Sequence, residues 1–212
     1  MDMPNANSTK AATEHDVIRA NRIKMLSIFA VFLAPVVAAY VAYFFMPPSG
    51  RTNYGDLIDP QRPSQAFALA PAAGVSGDVG ADASIGRWRG KWIMVVTAPS
   101  ACDSACARLL YLMRQVRLTT GRDRDRVERL WILPDGQSPD AKLLAEHDGL
   151  HLGRARPGAI AAHFPVPPGG LPDRHIYLID PLGNLMMRFP SDPDPTRMKK
   201  DLLKLLKISQ IG

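Results

Sequence analysis

The chain has only two cysteines in 212 residues, Cys102 and Cys106, spaced C-x-x-x-C. That scarcity excludes a small scaffold stapled by several disulfides, and four strong ligands for structural zinc are not evident. Aromatic residues are also few, at 7%. No internal repeat is visible. No phosphate-binding loop, Ser/His/Asp arrangement or paired-carboxylate motif stands out, so neither a nucleotide enzyme nor a hydrolase is supported. Acidic residues are the minority: 20 against 26 Lys and Arg, a net charge of +6. Such a balance permits nucleic-acid binding in principle. The topology argued next places the main domain away from nucleic acid.

One long hydrophobic run is present. Met25 to Met46 is uncharged and 22 residues long, enough to cross about 30 Å of hydrocarbon as a helix. Pro35 interrupts it, which membrane helices tolerate. Tyr40 and Tyr43 sit toward its distal end, where aromatic side chains favour the interface. The run is too long for a signal-peptide core and no small-x-small cleavage site follows, so it reads as an uncleaved anchor. Arg19, Arg22 and Lys24 precede it closely, whereas only Arg51 and Arg62 follow. The positive-inside rule then puts residues 1–24 in the cytoplasm and the rest across the membrane. In a Gram-negative cell this is the inner membrane with the C-terminal domain in the periplasm, where disulfides persist.

Four segments are expected: a cytoplasmic tail at 1–24, the anchor at 25–46, a flexible tether at 47–86 and a folded domain at 87–212. Residues 1–20 are polar without periodicity and read as unstructured. The tether is rich in Pro, Gly, Ala and Ser, with one short strand at Ala66 to Leu69. Lys91 to Thr97 is a continuous apolar run suited to a strand buried on both faces. A helix is expected from about Cys102 to Thr120, with Leu109, Leu112, Met113 and Val116 at helical spacing. Strands follow at Val127 to Leu133 and at Leu150 to Leu152, around a helix capped by Ser138 and running to about His147. A short helix at Ala159 to His163, a hairpin of His175 to Ile179 with Leu185 to Phe189, and a helix from Pro195 to about Ile208 complete the chain. This order is an α/β, thioredoxin-like sandwich behind a single transmembrane helix. The arginines at 108, 114, 117, 122, 124, 126 and 129 read as a solvated helix end and turn, with a docking surface for an acidic partner protein as the minority reading.

The cysteine pair falls at a strand-to-helix junction. A static disulfide there would close a loop of about five residues, worth roughly 2 kcal/mol. Near a helix N-terminus a thiol pKa falls, which suits redox exchange. Two thiolates one turn apart also suit Cu(I), and an added imidazole suits Cu(II).

Three stretches carry a family resemblance. They are Arg89-Gly90-Lys91-Trp92 leading into the apolar strand, Cys102-Asp103-Ser104-Ala105-Cys106, and Tyr177-Leu178-Ile179-Asp180-Pro181-Leu182-Gly183 before a terminal helix. Together they resemble the Sco/SenC family, over about residues 87–208. The resemblance implies a membrane-anchored, thioredoxin-like copper chaperone that assists assembly of the copper centre of cytochrome c oxidase. Such a protein delivers copper or reduces the target's cysteines. Its partners would be the copper-bearing oxidase subunit or assembly factors, and no nucleic acid. Cys102 and Cys106 would be the thiolate ligands or the reactive dithiol, and His175 the third copper ligand. Two departures stand out: Ala107 replaces the family's proline, and His175 lies closer to Tyr177 than the family pattern puts its histidine. Two alternatives stay open: a thiol–disulfide reductase without copper, and a non-catalytic oxidase assembly factor that retains the fold. His163, His147, His151, Met186 and Met187 rank lower as ligands.

Overall fold

A computed structural model of the protein describes residues 6–45, 53–58, 62–71 and 84–209. It divides into two compact units, Met1–Arg51 and Thr52–Gly212.

The described residues of the first unit form one helix, α1, Ala6–Phe45. Its stretch Ile18–Phe45 is long and apolar enough to cross a membrane, with a mean hydropathy of 2.3. The helix starts well before the apolar run, where the sequence reads as unstructured. Helix propagation is cheap once a nucleus exists, and Ala6, Ala11 and Ala12 offer little resistance to it.

The second unit is built on a six-stranded sheet. Its strands are β1 (Asp56–Leu57), β2 (Trp92–Thr97), β3 (Val127–Leu133), β4 (Leu150–Arg154), β5 (Ile176–Ile179) and β6 (Leu185–Arg188). They lie in the order β1-β6-β5-β2-β3-β4. Pairs β2–β3 and β3–β4 are parallel, whereas β5 runs antiparallel to both β2 and β6. Helix α2 (Ser104–Leu118) makes the crossover from β2 to β3, as a parallel pair requires. Helices α3 (Ala141–Ala145), α4 (Pro157–His163) and α5 (Pro195–Ile208) follow.

Strand β2 lies in the middle of the sheet and all six of its residues are buried. Alternation along it feeds two cores. Trp92, Met94 and Val96 pack with α2 and α5, while Ile93 and Val95 pack with Ile160, Phe164 and Leu69 on the other face. The hairpin β5–β6 turns at Gly183 with φ 87°, a conformation that favours glycine. The Asp180 carboxylate accepts from the Asn184 amide across that turn.

Two local expectations change. Asp140, not Ser138, caps α3, accepting from the Lys142 amide at 2.9 Å. The larger change concerns the expected tether. Its described parts, 53–58 and 62–71, belong to the folded unit. Strand β1 pairs with β6; Ser64 and Leu69 are buried. The buried Asp201 carboxylate on α5 accepts from the amides of Tyr54 and Gly55 at 2.7 and 3.0 Å. Ser64 Oγ meets His163 Nε2 at 2.7 Å. The Ala66–Leu69 strand is reduced to isolated bridges, Ala68 with Ser84 and Ala70 with Arg154. Residues 46–52, 59–61 and 72–83 of the expected anchor end and tether lie outside the described residues.

Candidate thiol–disulfide site

The chain leaves β2 at Thr97 and must turn to start α2. The turn is fixed from both sides. Ser100 donates its amide and its hydroxyl to one oxygen of Asp135, at 3.0 and 2.9 Å, which ties the β2 exit to the β3 exit. The Cys102 amide then donates back to the Pro99 carbonyl at 3.1 Å. Cys102 takes a left-handed φ of 31°, alone among the described non-glycine residues.

Asp103 caps α2. Its Oδ1 accepts from the Cys106 amide at 2.9 Å, which satisfies one orphan donor of the first turn. Cys102 therefore stands just outside the helix and Cys106 in its first turn. The two are joined as a disulfide with Cα atoms 5.2 Å apart. Cys102 is half-buried, whereas Cys106 is 2% exposed and sits in the core beneath α2. This asymmetry separates a partly exposed cysteine from a protected one.

A 3₁₀ turn, Pro172–Arg174, lies over the same end of α2. Arg174 pairs with Asp103, Nη1 to Oδ2 at 2.9 Å. The Cys106 amide first, and Arg174 next, hold the Asp103 carboxyl below the usual carboxylate range. Arg174 carried no expected role. Its only signal in the sequence was its place in the Asp-Arg-His string ahead of the Tyr-Leu-Ile strand.

The structure brings Cys102 and Cys106 together and leaves His175 apart from them. His175 has extended backbone angles, φ −128° and ψ 149°, so its side chain alternates with that of Ile176. Ile176 faces the α2 core that contains Cys106. His175 instead meets the Tyr177 ring on the other face, at 6.2 Å between centroids. Its Nδ1 is engaged with the Phe189 carbonyl at 2.8 Å. Its charged neighbours are Arg188, Asp56 and Asp173, and burial holds it below the usual histidine range. Among the described residues no group of three or more His, Cys, Asp or Glu is arranged to hold a metal ion.

The other histidines and the methionines serve elsewhere. His163 binds Ser64 and packs against Phe67. His151 meets Glu128 at 3.2 Å. His147 lies in the turn after α3. Met187 is core and Met186 packs against it.

A parallel β-α-β start, an antiparallel hairpin, a terminal helix and a cysteine pair at the head of the first crossover helix define a thioredoxin-like protein. The family model described as "Transmembrane-like, thioredoxin-like, C-terminal domain" matches residues 92–209, and the chain belongs to that family. No curated protein matches the sequence. Apo Sco1 from Thermus thermophilus superposes with a TM-score of 0.51 at 16% identity, over 74% of this chain and 99% of that one. Yeast Sco1 with copper bound gives 0.51 at 16%, over 76% and 96%. BsSco, a member of the Sco family of cytochrome c oxidase assembly proteins, gives 0.50 at 14%, over 71% and 98%. At these identities the likeness is one of fold. It agrees with the Sco/SenC resemblance carried by the sequence motifs.

Proposed function

We propose that this protein is a membrane-anchored, Sco-like thiol–disulfide protein that keeps the copper-site cysteines of cytochrome c oxidase reduced during assembly. The observation that carries the reading is the Cys102–Cys106 disulfide at the head of α2, one cysteine half-buried and the other fully buried. The anchor lies in the inner membrane with the N-terminus cytoplasmic, and the domain works in the periplasm. The oxidase target comes from the Sco resemblance and from the described role of BsSco.

The chemistry runs from the reduced dithiol. Cys102 thiolate attacks one sulfur of a target disulfide, forming a mixed disulfide and releasing the other target sulfur as a thiolate. Cys106 then loses its proton and attacks the Cys102 sulfur. The target leaves as a dithiol after taking up protons, and this chain keeps the Cys102–Cys106 bond. Two electrons pass to the target, so a dithiol reductant of the compartment must restore the pair. Asp103 and Arg174 flank the exchange and orient the turn that presents Cys102.

Copper delivery is the second reading, favoured by the fold shared with copper-bound yeast Sco1. Here copper would be cargo, and the two thiolates supply the soft ligand pair. With its Nδ1 bonded to Phe189 and its ring on the opposite face, His175 is poorly placed to be the third ligand.

The test uses the full-length protein, reduced, with a disulfide-bonded peptide carrying the copper-site cysteines of the oxidase subunit. Wild type should reduce the peptide. Cys106→Ala should trap the mixed disulfide, and Cys102→Ala should do neither. Copper(I) titration against a chelator, in wild type and His175→Ala, separates the second reading: tight one-to-one binding that depends on His175 would overturn the preference stated here. Normal oxidase assembly in a strain lacking both thiols would leave only the non-catalytic scaffold.

A further inference from the structure

The far end of α2 faces a cluster of positive charge that the redox site does not use. Arg129 stands in β3 on the side toward α2, since Val127 and Trp131 two residues either way join the α2 core. It is 2% exposed. Its Nη2 donates to the Asp148 carbonyl, in a turn completed by Gly149 at φ 71°. Its Nε is buried and has no partner. His147, from the same turn, is 5% exposed, and its Nδ1 is also buried without a partner.

Two half-buried arginines of α2 complete the cluster. Arg117 donates its Nε to the Val127 carbonyl at 2.6 Å, beside Arg129. Burial first, then Arg117 and Arg114, bring the Arg129 guanidinium down to about 10. Burial first, then Arg129 and Arg114, hold His147 below the usual histidine range. Among the described residues, none of the three arginines is ion-paired with a carboxylate. Glu128 engages His151 and Lys91. Asp148 and Glu146 are exposed; Asp148 and Glu128 offset part of the repulsion at Arg129, and Glu146 part of that at His147.

Like charges brought together repel, the more so where burial limits screening, and a buried donor without an acceptor bears its full desolvation cost. One chemical group relieves both: an anion with several acceptor oxygens, which guanidinium forks match. We propose that Arg114, Arg117, Arg129 and His147 form a binding site for a phosphate-class oxyanion. The site is two turns of α2 beyond the disulfide, roughly 12 Å at the helical rise. Its ligand is a free oxyanion or the phosphate headgroup of an anionic lipid, and the chemistry of recognition is the same for both.

The full-length protein in nonionic detergent is titrated with sodium phosphate, against sodium chloride at matched ionic strength, while Tm is followed. At tenfold excess over Kd, phosphate should raise Tm by about 3–6 °C. Arg129→Gln should abolish the rise. Because a core change can harm folding, Arg114→Gln on the half-exposed helix face is the second variant, expected to weaken Kd about tenfold. Arg108→Gln, whose arginine is exposed and paired with Asp192, should respond like wild type. A second arm replaces phosphate with phosphatidylglycerol doped into the detergent. A variant-sensitive rise with phosphate assigns the free ion, and one with the lipid alone assigns the headgroup. No rise beyond chloride in either arm, or equal rises in wild type and both variants, overturns the proposal.

Discussion

Cys102 bears a constraint that a merely structural bridge would not need. Its φ of 31° is left-handed, and a non-glycine residue held there costs on the order of 1–3 kcal/mol. If the bond to Cys106 is what holds this angle against the turn's own hydrogen bonds, reduction relieves the strain and the oxidised form alone bears it. Strained, accessible disulfides are the labile ones, whereas structural ones have potentials below about −300 mV. We predict a reduction potential above about −300 mV for the Cys102–Cys106 pair, measured by equilibration against dithiothreitol. A lower value would make the bridge a static staple. The histidines set a second property at this scale. His147, His163 and His175 are all held below the usual histidine value of 6.5, burial being the first cause in each. The folded chain thus binds fewer protons than the unfolded one just below that pH, and stability rises with pH wherever the unfolded state binds more. Stability should therefore fall as pH drops from about 7.5 through 6.5 toward 5.5, read as a lower urea midpoint at each step. A flat profile would mean that the folded chain binds protons at these rings as readily as the unfolded one. The cysteine pair was legible in the sequence because cysteine is rare and its spacing is local. The face of His175 was not. It depends on the strand register, and a shift of one residue would turn the ring toward the disulfide.

At the scale of elements, the strands and helices of the sandwich could be read from runs and periods. Lys91 to Thr97 is apolar throughout because β2 is covered on both faces. The segments at 53–58 and 62–71 could not be read this way. They hold no period, since each is fixed by single residues reaching unrelated partners: β1 on β6, Leu69 in the second core, the Tyr54 and Gly55 amides on Asp201. Composition rich in Pro, Gly, Ala and Ser fits a tether and a packed strap equally well. Two substitutions separate the two. Leu69→Ala should cost about 2–4 kcal/mol through the lost side chain and the cavity left behind. Asp201→Ala should cost about 2–3 kcal/mol, because it leaves two backbone donors without their charged acceptor. Both are read from urea unfolding of the full chain. Changes below about 0.5 kcal/mol would mean that the strap is not part of the cooperative unit.

For the molecule as a whole, the decisive variable is the side of the membrane on which the sandwich lies. The proposed exchange needs a compartment in which target cysteines become oxidised, because reducing them is otherwise idle work. Sidedness rests on Arg19, Arg22 and Lys24 before the apolar stretch of α1 against Arg51 and Arg62 after it. The bias is small, and charges near the span carry most weight. It can therefore be reversed deliberately. Alkaline phosphatase, which needs disulfides to be active, is fused after residue 212. The wild-type fusion should be active. Replacing Arg19, Arg22 and Lys24 with Glu should lower that activity severalfold by inverting a share of the molecules, and the same share should lose the Cys102–Cys106 disulfide to the reducing cytoplasm. Thiol alkylation of each population reads the second effect independently of the first. An inactive wild-type fusion would place the dithiol where glutathione keeps thiols reduced, and the assembly role proposed here would fall with it.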